Sequence, residues 1–256
     1  MGLALLPMFL ARKMSMLGKN YGNDYEELTR AVEWGLWDEV ELLVTKARQS
    51  GTLIPEAELT KRQAQVLASR GQLEQGLHLL DALGPEANLE PWMLLMSKAS
   101  VYATAQDYDG AIRVSEEALA MGPKSAGEYI SLAYYLIHRK RDPETAKKYL
   151  DLGTSQPLMP LAESHVSFVE GMIALEEGQC QKALDILEQA LHQAKRFEGQ
   201  LLIGGHIREI KAYKVLALAR SAQRDKAKAL WAEIEPFFEA IKDTDMLQRC
   251  RTATSS

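Results

Sequence analysis

Residues 92–125 read WMLLMSKASVYATAQDYDGAIRVSEEALAMGPKS, and this stretch decides the fold. In its second half, Ala111, Ser115 and Ala118 fall at offsets of four and seven, which places them on one face of a helix. In its first half, Ala99 and Tyr102 lie twelve and nine residues ahead of Ala111 and mark the apolar face of a preceding helix. The stretch therefore reads as two helices joined by a turn around Gln106.

The same pattern recurs on both sides. The strings WDEVELLVTKA, LEQGLHLLDAL, PETAKKYLDLG, CQKALDILEQAL and RDKAKALWAEI give the triplets Val40–Val44–Ala47, Gly76–Leu80–Leu83, Ala146–Leu150–Gly153, Ala183–Leu187–Ala190 and Ala227–Trp231–Ile234. Leading residues of the six triplets are 36, 35, 35, 37 and 44 residues apart. Their partners on the preceding helices are Leu28 with Ala31, Ala64 with Leu67, Tyr134 with Ile137, Gly171 with Ala174 and Val215 with Leu218. Five residues before each leading position the turn is expected, where Gly35, Gly71 and Gly178 supply the left-handed conformation. Gln106, Arg141 and Ala222 occupy that place in the other units, for which a different turn geometry is expected. Three residues before it stand Trp37, Leu73, Tyr108, Pro143, Cys180 and Arg224, mostly bulky groups suited to capping the interhelical seam.

A period of this length is the mark of a helical-repeat architecture. The units resemble tetratricopeptide repeats, with the best match at residues 92–125 through Ala99, Tyr102, Tyr108, Ala111, Ala118 and Pro123, and a close second at 164–197 through Gly171, Gly178, Ala183 and Ala190. The family's opening Trp-x-x-Leu-Gly element is not complete anywhere, and Sel1-like and HEAT-like hairpins share much of the pattern. The expected fold is all-α, an α-solenoid of about six antiparallel helix–turn–helix repeats. Residues 1–20 form an apolar and basic leading segment, 21–235 the repeats, and 236–256 a helix after Pro236 that caps the last apolar face, ending in a frayed tail at Thr252–Ser256. Between the fifth and sixth units, Gly199, Gly204 and Gly205 are expected to interrupt the helical pattern, as a longer hairpin or a functional loop.

Composition agrees with a folded helical chain: 256 residues, 46% hydrophobic, 7% aromatic, net charge -5. The charge is unevenly spread, with nine acids against three bases in residues 21–60 and nine bases against three acids in 193–230. Arg208, Lys211, Arg220 and Arg224 are the candidate patch for an acidic partner. Nucleic acid is disfavoured as a partner, because the basic stretch lacks interleaved aromatics and the chain as a whole is acidic. Cys180 and Cys250 stand far apart with no metal-ligand spacing.

Met1–Ala11 is apolar apart from Pro7 and is followed by Arg12 and Lys13. It is too short to span a bilayer and lacks the layout of a secretory signal. Two readings remain: a segment that touches a membrane, its basic flank cytoplasmic, or an apolar helix packed on the protein body or in its groove.

Function follows from the resemblance. Tetratricopeptide repeats stack into a superhelix whose concave side is lined by the first helix of each hairpin and holds protein partners. Helical spacing assigns Met93, Met96 and Ser100 of the third unit, Ile130 and Tyr134 of the fourth, and His165, Phe168 and Met172 of the fifth to that groove. Such a strip suits an amphipathic helix or an extended apolar peptide. It does not repeat the Lys, Asn and Arg set with which family co-chaperones hold an acidic tail.

An enzyme is not expected. GxSxG, GxGxxG, a phosphate loop and HExxH are all missing, as is any motif for a cofactor. His78, His138, His165, His192 and His206 are dispersed without a metal-ligand partner at i+3 or i+4. A cytoplasmic adaptor or chaperone-like peptide binder, and an assembly component at a membrane surface, are the two functions that fit.

Overall fold

The computed structural model describes residues 22–51, 53–84, 87, 89–122, 125–197 and 203–255. The apolar segment 1–20, Pro123, Gly199 and Ser256 lie outside the described residues. Among the described residues the fold is all-α, without strands. Six hairpins follow one another: α1 Gly22–Glu33 with α2 Trp37–Ser50, α3 Glu56–Ser69 with α4 Leu73–Asp81, α5 Pro91–Thr104 with α6 Tyr108–Met121, α7 Ala126–Tyr135 with α8 Pro143–Thr154, α9 Pro160–Glu176 with α10 Cys180–Lys195, and α11 Ile203–Arg220 with α12 Arg224–Ala240. A last helix, α13 Thr244–Ser255, packs on α11 and α12.

The repeat register is visible in the packing. Every second helix begins at the position three residues ahead of its leading residue, from Trp37 to Arg224. The triplets are buried at the hairpin seams in all units, with only Leu83 half-buried. Local chemistry helps fix the starts: Asp107 and Asp142 accept from the backbone N–H groups of Gly110 and Thr145, and Pro91, Pro143 and Pro160 open their helices where no donor is needed.

The turns depart from expectation. Gln106, Arg141 and Ala222 adopt φ of 60°, 51° and 60°, the same left-handed region as Gly35, Gly71 and Gly178, so all six hairpins turn alike. Side-chain identity at this position is overridden by the geometry of the packed hairpin, at a cost of about 1 kcal/mol per non-glycine residue. Lys242, at φ 55°, repeats the device before α13.

Gly204 and Gly205 do not break a helix; both sit in the first turn of α11. There Gly205 N–H donates to Glu33 Oε1 at 2.5 Å, a carboxylate against an N-terminal helix donor. A Cβ on Gly204 would meet the same Oε1 at 2.7 Å, so the glycine permits this approach. Pro236 likewise lies inside α12 and does not precede the terminal helix, which begins at Thr244 and keeps Thr252–Ser255 helical. The proline forfeits one intrahelical hydrogen bond. Phe237 and Phe238 directly after it are buried, and their packing carries the helix past it.

One consequence reaches across the whole row. Trp34 of the first hairpin meets Phe237 of the sixth edge-on at 5.3 Å, and the Arg208 guanidinium lies over both rings at 4.5 and 5.1 Å. Gln106 of the third hairpin donates to the Lys242 carbonyl at 3.3 Å. The first and last hairpins thus touch.

Candidate binding surfaces

Four of the residues assigned to the groove meet at one place. Ile130 and Tyr134 of α7 and His165 and Phe168 of α9 line a pocket with His206 and Glu209 of α11. Its free volume is about 10 Å³, room for a single water. The remaining assignments separate from it: Met172 is fully buried in the core, while Met96 and half-buried Met93 pack with Trp92 and Ala118. Ser100 is buried too, its hydroxyl donating to Ser97 O at 2.7 Å. A solvent-facing Met strip is therefore corrected to a packing seam. At helical spacing an apolar face satisfies both roles, and stacking of neighbouring hairpins takes it.

Around the pocket an aromatic cluster has formed that spacing alone does not reveal. Phe168 meets Tyr213 and His206 edge-on, each at 5.4 Å, and Tyr134 stacks on His138 at 5.3 Å. His138 sits in a π-helical turn, Leu136–Lys140, that continues α7, a wider coil of the kind often found at functional sites. Its Nδ1 lies 2.8 Å from the Tyr213 hydroxyl, which also accepts from Arg249 Nη1 at 3.3 Å. Burial pushes the Tyr213 hydroxyl up to about 12 and His138 far down from its ordinary value, with Arg249 adding to the latter effect.

His165 and His206 stack face to face at 3.9 Å. Hydrogen bonding fixes their protons. Ser164 Oγ donates to Ala190 O at 2.9 Å, so it accepts from His206 Nε2–H at 3.0 Å, and His165 Nδ1–H donates to Leu161 O at 3.1 Å. Burial lowers His165 to about 4, and burial with the neighbouring imidazole holds His206 well below its ordinary value. Both rings are neutral at pH 7. Ser164 and His206 are wired opposite to a nucleophile and its base, since the imidazole donates and the hydroxyl proton is engaged elsewhere.

A search against family models finds none that matches this chain, and no curated protein resembles it closely enough to count as a relative.

The basic patch is dispersed. Arg208 is stacked between Trp34 and Phe237, Lys211 pairs with Glu233 at 2.5 Å, and Arg220 binds Leu175 O at 2.9 Å and lies 3.6 Å from Glu176. Lys214 pairs with Glu188. Among the described residues, only Arg224 of the four is both exposed and without an ion pair. Three bases on α11, Lys211, Lys214 and Arg220, thus stand opposite acids on α12, α10 and α9. Among the described residues no group of three His, Cys, Asp or Glu is placed to hold a metal ion, and no helix is long and apolar enough to cross a membrane.

His138 and His206 escaped the sequence reading for a definable reason. His138, His165 and His206 stand 8, 18 and 21 residues before their leading positions at 146, 183 and 227. They share no register, and only the stacking of three successive first helices brings them together.

Proposed function

We propose that the chain is a non-catalytic protein-interaction scaffold of tetratricopeptide-like hairpins, which takes a partner helix or peptide along its row of first helices. The observation that carries this reading is the meeting of Ile130, Tyr134, His165 and Phe168, from two consecutive first helices, around one aromatic pocket. Tyrosine, a large ring with a polar tip like that of Tyr134, is among the groups that recur at binding hot spots.

The pocket as it stands admits no side chain larger than a methyl group, so the partner enters by parting the first hairpin from the sixth. Among the described residues that seam includes one edge-on aromatic pair, one stacked arginine and one charge-assisted hydrogen bond, contacts worth a few kcal/mol together. Opening at that cost is accessible to a ligand with differential affinity for the open state. Site-specific photo-crosslinking tests the reading. A crosslinker at position 165 captures a discrete protein, whereas one at exposed Thr45 on α2 does not; capture from position 45 alone sinks it.

A second reading is favoured by residues 1–13, which are apolar with a basic flank: attachment of the scaffold to a membrane-bound assembly. Deleting residues 1–20 distinguishes the two. A protein that leaves the membrane fraction on deletion is an assembly component, and one whose location is unchanged is a free adaptor in the cytoplasm.

A further inference from the structure

Sharing no residue with the inner pocket, a cleft of about 430 Å³ opens between the turn at Arg141, α11 and α13. Arg141, Arg220 and Arg249 line it against one carboxylate, Asp245, together with Gln248 and Leu216. Arg220 and Arg249 are gathered by the carboxylate of Glu176, whose Oε1 lies 3.6 Å from one Nη2 and 4.0 Å from the other.

Each guanidinium has about five N–H donors in a planar fork. Arg220 uses Nη1 on Leu175 O, and Arg249 uses Nη1 on Tyr213 Oη with Asp245 3.5 Å away. Their remaining donors meet no hydrogen-bond acceptor among the described residues. Arg141 is exposed, makes no ion pair among them, and holds φ at 51°, where three of the six hairpins have glycine. A charged residue thus occupies a strained backbone position at the rim of a cleft that already holds two further cations. Three guanidiniums in one cleft repel each other, and a planar carboxylate relieves that repulsion while engaging the fork with two parallel hydrogen bonds.

We propose that this cleft is a docking site for the carboxylates of an acidic peptide segment. The proposal rests on the protein-scaffold reading and gives the partner its charge. It places the contact on the arginines beside α13, not on the Arg208–Arg224 series as a whole.

The experiment titrates the full chain with a fluorescently labelled oligoglutamate peptide. Binding is expected to be saturable, to weaken with salt, and to fall about tenfold or more in the double variant Arg141→Glu, Arg220→Glu. Arg224→Glu, outside the cleft, leaves it unchanged. Arg141→Gly is the second variant: it relaxes the left-handed turn, so its melting temperature rises while its affinity for the peptide drops. A folded Arg141→Gly protein that binds as tightly as the unaltered chain overturns the proposal. Displacement of the peptide by inorganic phosphate at concentrations where acetate has no effect also overturns it, because the site then selects phosphoryl oxygens. If crosslinking from position 165 fails while oligoglutamate still binds through the arginines, the inner-wall reading falls and the cleft stands. If oligoglutamate binding survives both arginine changes, the cleft falls and the inner-wall reading stands.

Discussion

Two stretches of the row of first helices bury themselves by opposite chemistry. On α3, Glu58, Lys61 and Arg62 are all buried, with Glu58 held between Lys61 and Arg62 at 2.6 Å each, and Arg62 passing on to Gln65, whose side-chain amide donates to Thr104 of α5. On α7, α9 and α11 the corresponding surface is Tyr134, His138, Phe168, His206 and Tyr213, ring against ring. The aromatic stretch gains from area removed from water. The ionic stretch gains little net, because desolvation opposes the attraction. Burial outweighs the pull of Glu58 on Lys61 and lowers the ammonium to about 8, whereas Glu58, facing two cations, is lowered to about 2 despite its own burial. The difference teaches that one repeat architecture tolerates either solution, provided each buried charge has an opposite charge beside it.

Five measurements can break or sharpen this contrast. The largest effect is expected for Phe168→Ala, which opens a cavity among Tyr134, His206 and Tyr213 and should cost about 4 kcal/mol by denaturant unfolding. Glu58→Ala comes next, at about 3 kcal/mol, since it strands two buried cations. Replacing Glu58, Lys61 and Arg62 together by Met should be nearly neutral. If the triple replacement is as damaging as Glu58→Ala, the ionic stretch stabilises the fold outright and the contrast fails.

Acid should separate the two stretches. His165 has a folded value of about 4 against an ordinary 6.5, so the unfolded chain binds protons first as pH falls. The stabilisation from its neutral ring is complete above about 6.5 and is lost as pH falls toward 4, about 3 kcal/mol in all. Glu58 has a folded value of about 2 against 4.5, and its contribution persists until pH drops below 4.5. Amide exchange between pH 6.5 and 4.5 should therefore lose protection in α7, α9 and α11 before α3; simultaneous loss would contradict the assignment. A gain of about 1 kcal/mol in stability is expected for Ala222→Gly at its left-handed turn, read as a rise in melting temperature.

The hairpin register was legible because seam residues must recur at helical spacing whatever the neighbours are. Ala111, Ser115 and Ala118 announce a buried face, and they are fully buried or nearly so. The turns were legible in place but not in geometry, since Gln106, Arg141 and Ala222 give no local sign of a positive φ. Of the candidate groove, Ile130, Tyr134, His165 and Phe168 gather at one pocket, whereas Met93, Met96, Ser100 and Met172 pack elsewhere. Periodicity reports that a face is apolar. It does not report whether the next hairpin or a guest covers it.

The amino-acid sequence by itself determined the helical class, the hairpin boundaries and the seams, because these depend on spacing within some forty residues and on short-range packing. Tertiary structure alone decided the rest: that Glu33 reaches the α11 N-terminus past Gly204, that Trp34 meets Phe237, that His165 and His206 of unrelated register stack, and that Arg141, Arg220 and Arg249 share a cleft. Each of these joins residues tens to hundreds of positions apart. Their meeting depends on the summed angles of several packed hairpins, a quantity that no single stretch of the chain encodes.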